Sequence, residues 1–181
     1  WVRNDKEELN LYAAGKKTPL RICALGGSVA TPKKGVRAQV VEVRSFDELD
    51  KLGEAGLKGK IVFYNTPMDQ KHIRTFHAYG QCGTYRYSGP KNAAKYGAVA
   101  SITRSLTLSM DEEPHTGAMA YDEKYPKIPC AAISTMGAEK LSAALKENPN
   151  AELELFLNCE MLPDAKSYNV IAEIRGSRKP E

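Results

Sequence analysis

Short apolar runs, each ended by glycine, proline or polar residues, dominate the hydrophobic pattern of the chain. Residues 61–64 are too few for a helix and include β-branched side chains, so we predict a buried strand there. Residues 153–157 alternate leucine with other side chains, which is typical of a strand with one buried face. The same reasoning predicts strands at 20–25, 36–43, 98–102, 128–133 and 168–174.

Helix signals occur between these runs. Ser45 and Glu48 have the spacing of a capping box, so we predict that a helix begins there, with Phe46, Leu49 and Leu52 facing the core. Other helices are predicted at 91–96, where Pro90 suits the first turn, and at 137–146, where Thr135 can cap.

The first 18 residues lack a clear apolar stripe. Residues 1–18 are polar and helix-compatible, so we expect a connector that arrives from another part of a longer protein. The chain starts at Trp1 with neither an initiator methionine nor an apolar leader, which also suggests an excised fragment. The pattern as a whole predicts seven to nine strands, three helices and one core.

Composition and charge exclude several classes of protein. The 181 residues, 42% of them hydrophobic, are enough for one sizeable core. The net charge of +4 comes from 26 basic and 22 acidic residues spread along the chain, so we expect no nucleic-acid partner. No apolar run approaches the ~18–20 residues of a membrane-spanning helix, so no membrane span is expected.

Four cysteines lie far apart in the sequence. The intervals of 59, 48 and 29 residues exclude a local zinc ribbon or a redox Cys-x-x-Cys motif. Cysteine packs as a small hydrophobic residue, so we expect buried free thiols, with one disulfide as the alternative in an exported protein. These residues are Cys23, Cys82, Cys130 and Cys159.

Three arrangements of reactive residues each have a simpler structural interpretation. His77 precedes Cys82 by five residues, but no hydrolase signature surrounds either, so we expect Cys82 to be structural. His72 and His77 do not share a helix face, and His-Glu-x-x-His is absent, so we expect no metal site in this chain. Residues 26–28 are Gly-Gly-Ser but no helix signal follows, so they predict a turn rather than a phosphate site.

One loop combines acidic, imidazole and hydroxyl groups with glycine. His115, Thr116 and Gly117 follow the acidic residues 111–113 in a segment with no strand or helix signal. Loops carried on a rigid scaffold are where recognition residues concentrate. We therefore predict that this loop takes part in recognition.

Three segments in order resemble the core of a protease-associated (PA) domain. They are Gly-Lys-Ile-Val-Phe-Tyr-Asn at 59–65, Asn-Ala-Ala-Lys-Tyr-Gly-Ala at 92–98 and Lys-Ile-Pro at 127–129. The segments 25–32, 45–49 and 114–117 are similar to the PA insert of carboxypeptidase Q-like zinc exopeptidases, also called plasma glutamate carboxypeptidase-like. Residues 168–177, followed by Lys179, Pro180 and Glu181, resemble the entry strand of that family's catalytic domain.

The resemblance implies an α/β (α+β) fold with a mixed β-sandwich or open-barrel core and flanking helices. It places the PA domain at 19–166 and the final strand and junction at 167–181. The family holds two zinc ions with residues beyond this segment, so the resemblance implies no catalytic residue and no cofactor here. The implied role is to cover the catalytic cleft of a domain in cis and shape access for short peptides in a secreted or periplasmic peptidase, with a second subunit as another contact. His115, Thr116 and Gly117 match a motif of the family, and we predict that they and the adjacent acidic loop face this cleft.

Two other functions remain open. The same fold can serve as an independent module that binds a peptide or protein, in which case the isolated chain would bind peptides saturably. A self-sufficient thiol hydrolase would instead show activity that iodoacetamide abolishes.

Overall fold

A computed structural model describes residues 1–178, in which eight strands and three helices form one mixed sheet with helices on its outside. The strands are β1 (Glu7–Ala13), β2 (Lys16–Leu20), β3 (Ile22–Ala24), β4 (Val36–Val43), β5 (Ile61–Tyr64), β6 (Ala100–Arg104), β7 (Cys130–Ile133) and β8 (Glu152–Leu157). The helices are α1 (Phe46–Leu57), α2 (Thr75–Lys95) and α3 (Thr135–Glu147). This composition confirms the predicted mixed α/β class, strand number and helix number.

The sheet curls into an open barrel. Its strand order is β2-β1-β8-β4-β5-β6-β7-β3, so β2 and β3 lie at opposite ends. Only Arg21 separates those two strands in the sequence, and a flat sheet of eight strands could not be bridged by one residue. The Ala24 amide of β3, at one end, donates to the carboxylate of Glu7 in β1, the neighbour of β2 at the other end, at 2.8 Å. The chain itself therefore draws the two ends of the sheet together.

Two apolar clusters cover the two faces of the central strands. Strands β4 to β7 run parallel, and every residue of β5, β6 and β7 is buried, as expected for strands covered on both sides. Ile61 and Phe63 belong to the cluster with β1, β8 and α3. Val62 and Tyr64 belong to the cluster with α1 and α2. The alternation along β5 thus assigns its side chains to two packed faces.

The starts of α1 and α3 are capped by serine. The Ser45 hydroxyl accepts from the Glu48 amide at 3.1 Å, as predicted, whereas the Glu48 carboxylate accepts from Arg44 rather than from Ser45. In α3 the cap is Ser134, which accepts from the Gly137 amide at 3.0 Å. Thr135, predicted as the cap, lies one position inside the helix, so that prediction is wrong by one residue.

The helix α2 is much longer than predicted. It runs from Thr75 to Lys95, not from 91 to 96, and Pro90 lies inside it rather than in its first turn. Gly89 lets the helix approach β5, because a Cβ there would lie 2.8 Å from the Tyr64 ring, whose hydroxyl donates to the Gly89 carbonyl at 2.9 Å. Packing of a small-residue face against the sheet therefore offsets the poor helix propensity of glycine and proline.

The two ends of the chain also differ from expectation. Residues 1–18 do not form a connector as predicted, because they contribute β1 and most of β2. β1 lies inside the sheet, between β2 and β8. The strand predicted at 168–174 is wrong, since those residues form no strand and their side chains are exposed. Lys179, Pro180 and Glu181 lie outside the described residues. Among residues 1–178, no helix is both long and apolar enough to cross a membrane.

Candidate functional site

The loop between β6 and β7 crosses one end of the sheet and carries the predicted site residues. Ser105, directly after β6, fixes this loop with one hydroxyl. It donates to the Ile133 carbonyl of β7 at 2.7 Å and accepts from the His115 amide at 2.8 Å. The backbone at His115 is therefore tied to the buried end of the parallel strands.

Thr116 and Gly117 are anchored to the segment that follows β3. The Thr116 hydroxyl donates to the Ala24 carbonyl at 2.7 Å, and the Gly117 carbonyl accepts from the Gly26 amide at 2.9 Å. These bonds use the Thr116 hydroxyl hydrogen and the Gly117 carbonyl within the fold. In this loop Thr116 and Gly117 hold the backbone, while the exposed His115 side chain forms no hydrogen bond within residues 1–178.

The acidic part of the loop is engaged with basic side chains. The Glu112 carboxylate accepts from Lys140 and from the Ser134 hydroxyl, and these hydrogen bonds lower the pKa of Glu112. Glu113 lies 3.6 Å from the Arg21 guanidinium, and the Asp111 carboxylate accepts from the Glu113 amide. Glu112 and Glu113 therefore connect the loop to neighbouring segments, and Asp111 stabilises a turn within it.

Arg86 on α2 is a neighbour that the sequence did not single out. A Cβ at position 117 would lie 2.5 Å from the Arg86 guanidinium carbon, so a larger residue there would displace the end of the Arg86 side chain. The Ala120 amide donates to the Tyr87 carbonyl at 2.9 Å, which fixes the same stretch of loop along α2. The predicted helix at 91–96 excluded Arg86 from α2, and its approach to Gly117 is a tertiary contact without a local signal.

A network of polar side chains lies at the carboxyl ends of β4, β5 and β6. Arg104 is buried and donates to Glu139 at 2.5 Å and to Asn65 at 3.2 Å. Asn65 in turn donates to Glu42 at 2.8 Å, and Ser142 of α3 donates to the same carboxylate at 3.1 Å. Each member of this network has a protein partner, so we interpret it as a structural connection between α3 and the sheet.

The cysteines and the other histidines do not form a catalytic pair. All four thiols are free and buried, as the sequence suggested. Burial raises the pKa of Cys82, and raises that of Cys159 to about 11, so both side chains stay in the protonated form that is a poor nucleophile. His77 is exposed, and its ring lies 6.1 Å from that of His72.

Metal ligands do not converge within the described part of the chain. Among residues 1–178, no group of three or more His, Cys, Asp or Glu side chains could hold a metal ion. In the Gly-Gly-Ser segment, the Ser28 hydroxyl accepts from the Cys130 amide at 2.8 Å and donates to the Val29 carbonyl. Ser28 thus stabilises a local turn.

Relatives with known names match the chain over its whole length. No protein-family profile matches the chain. Over all of its residues it is 42% identical to carboxypeptidase Q of Xenopus laevis, and it spans 36% of the length of that protein. The whole chain is similar to a segment of carboxypeptidase Q. The predicted resemblance to carboxypeptidase Q-like peptidases is therefore confirmed, for a stretch of about a third of the relative.

Solved structures agree with this assignment. A peptidase M28 precursor from Shewanella amazonensis superposes with a TM-score of 0.86 at 35% identity, over 97% of this chain and 39% of that one. A zinc aminopeptidase from Bacillus subtilis gives a TM-score of 0.50 at 20% identity, over 84% of this chain and 31% of that one. The second comparison shows a shared fold, and the first extends the carboxypeptidase Q-like similarity to a bacterial peptidase.

Proposed function

We propose that this chain is the non-catalytic PA domain of a secreted or periplasmic zinc exopeptidase and lies over the catalytic cleft of a domain in the same protein. The observation that carries the proposal is the end-to-end similarity to 36% of carboxypeptidase Q. The described residues offer no metal-binding group, so zinc and the residues that activate water belong, in this proposal, to the remaining part of the peptidase.

The proposed domain runs from β1 to the end of β8. Residues 158–178 form no helix or strand, and Tyr168, Val170, Ile171 and Ile174 are almost fully exposed. Several large apolar side chains exposed close together in one segment are typical of a surface that packs against a further domain or subunit. We propose that residues 167–178 join the catalytic domain.

The loop with His115 supplies the proposed contact with substrate. Its backbone is fixed by Ser105 and by the strand end at Ala24, while the His115 imidazole points into solvent without an internal partner. A rigid loop that presents one free imidazole can donate or accept a hydrogen bond from a peptide group at little entropic cost. Thr116 and Gly117 would act through the loop backbone.

We expect His115→Ala in the full-length peptidase to lower kcat/KM for several dipeptides by about 3- to 10-fold. That range corresponds to the loss of one hydrogen bond of ordinary net strength. The measurement is steady-state kinetics on a panel of dipeptides. His77→Ala removes an equally exposed imidazole from α2 and serves as the control; it should leave kcat/KM unchanged. An unchanged kcat/KM in the His115 variant for every dipeptide would remove this residue from the cleft.

An independent peptide-binding module is the second candidate. A hollow of about 370 Å³ between the start of α2 and the loop after β6 is lined by apolar side chains, including Met68, Phe76, Tyr79, Leu106 and Leu108. Phe76 is 79% exposed, so this surface could receive an apolar peptide side chain without rearrangement of the core. This function predicts binding by the isolated chain, whereas the cleft role requires the catalytic domain.

A further inference from the structure

Arg86 is a half-buried cation whose hydrogen-bonding capacity is not used within the fold. Its Nε atom is buried and has no hydrogen-bond partner among residues 1–178. Its guanidinium carbon lies 5.3 Å from the centroid of the Tyr79 ring, one of the arrangements in which arginine is attracted to an aromatic face. A buried donor without a partner is costly, and such groups in native proteins call for an explanation.

The nearby carboxylates do not supply the missing partner. Arg86 forms no ion pair within residues 1–178, whereas Glu112 and Glu113 pair with Lys140 and Arg21. The buried Arg104 gives a direct contrast, because it contacts both a carboxylate and an amide oxygen. An external anion cannot reach the buried Nε atom, but Nη1 and Nη2 are not among the buried unpaired atoms and form no hydrogen bond within residues 1–178. These two terminal nitrogens of Arg86 are therefore available for an external anion.

The position of Arg86 is fixed by the loop of the proposed cleft. Gly117 packs directly on the guanidinium, where even one Cβ atom would overlap with it, and Tyr79 lies on α2 two turns earlier. His115 lies two residues before Gly117 on the same anchored loop. The contacts on both sides reduce the conformational freedom of the arginine before any ligand arrives, which favours binding.

We propose that Arg86 binds the C-terminal carboxylate of a short peptide substrate. This inference rests on the proposed function, since it adds a ligand group to the same cleft. The planar guanidinium matches a carboxylate through paired N–H donors, and charge-assisted bonds of this type are roughly twice as strong as neutral ones. Every unmodified short peptide carries such a carboxylate, whatever its side chains.

The test is steady-state kinetics of the full-length peptidase on a dipeptide and on the same dipeptide with an amidated C-terminus. We expect Arg86→Ala to lower kcat/KM for the free dipeptide by about 10- to 100-fold and to change that for the amide by less than about 3-fold. Arg86→Lys, which keeps the charge but loses the paired donors, should give an intermediate loss. Arg21→Ala removes an exposed arginine that pairs with the same loop and serves as the control, with both substrates little affected.

Other outcomes overturn the inference. If kcat/KM falls equally for both substrates in folded Arg86→Ala and Arg86→Lys proteins, Arg86 stabilises the protein and does not bind the substrate carboxylate. If kcat/KM falls for neither substrate, Arg86 has no role in binding. A further comparison uses two dipeptides with amidated C-termini, one ending in Glu and one in Gln. If the wild-type protein prefers the Glu peptide and Arg86→Ala abolishes that preference, Arg86 recognises a side-chain carboxylate instead. A wild-type protein that hydrolyses neither peptide would overturn the proposed function as well, which separates the two failures.

Discussion

Replacing Leu9 with alanine is expected to lower the free energy of unfolding by about 2–5 kcal/mol, the range for truncation of a buried leucine. Leu9 is 1% exposed and lies between Leu20 of β2 and Leu155 of β8. The substitution leaves a cavity where β1 closes the barrel. Urea unfolding of the 181-residue chain, followed by circular dichroism, measures the change.

Glu8→Ala is the matched control for Leu9→Ala, because residue 8 is exposed on the opposite face of the same strand. Its free energy of unfolding should stay within about 0.5 kcal/mol of the parent value. If both variants were equally stable, the first residues would be a connector outside the core, as the sequence alone suggested.

Arg104→Ala is expected to lower the free energy of unfolding by about 1–3 kcal/mol, the range for leaving a buried polar group without its partner. The Arg104 side chain is 6% exposed, and its removal leaves the Asn65 side-chain oxygen without that donor and opens a cavity between α3 and the sheet, whereas Glu139 is 56% exposed and can be hydrated. Thermal and urea unfolding of the same chain test the value.

Arg44→Ala removes an arginine that is 62% exposed and lies 3.9 Å from Glu42, within reach of the same network. An exposed pair of this kind contributes at most about 1 kcal/mol, so a much smaller loss is expected. Equal losses in the two variants would contradict the interpretation that the buried position of Arg104 determines its contribution.

The strands of the central sheet could be predicted because their local pattern and their tertiary environment agree. Residues 61–64 and 153–157 are apolar or alternating at strand period, and they form β5 and β8 as predicted. The Ser45 cap was likewise a local signal with a local hydrogen bond. In these segments the local sequence is sufficient to predict the secondary structure.

The helix α2 and the strand β1 could not be predicted because packing overrides their local preferences. Gly80, Gly83, Gly89 and Pro90 disfavour a helix, yet Ala78, Cys82, Gly89 and Ala93 recur at helical spacing and are buried. That stripe of small residues was the missed signal. β1 is stabilised by pairing with β8, whose residues lie 140–150 positions later in the chain, a distance that no local window contains.

The candidate site was predicted in part. The sequence indicated the loop of His115, Thr116 and Gly117, and the structure places all three consecutively on one anchored loop; whether they face a cleft stays a prediction. The sequence could not indicate that Thr116 uses its hydroxyl within the fold, or that Arg86 packs on Gly117. Both facts arise from contacts between segments far apart in the chain.

Zinc content and dipeptide hydrolysis, measured for the 181-residue chain and for the full-length gene product, test most directly whether this chain is a non-catalytic domain of a zinc peptidase. We expect the full-length protein to bind zinc and hydrolyse dipeptides, and the folded 181-residue chain to do neither and to show no saturable peptide binding. Stoichiometric zinc and hydrolysis by the 181-residue chain itself would contradict this role, and saturable peptide binding without hydrolysis would favour the independent module instead.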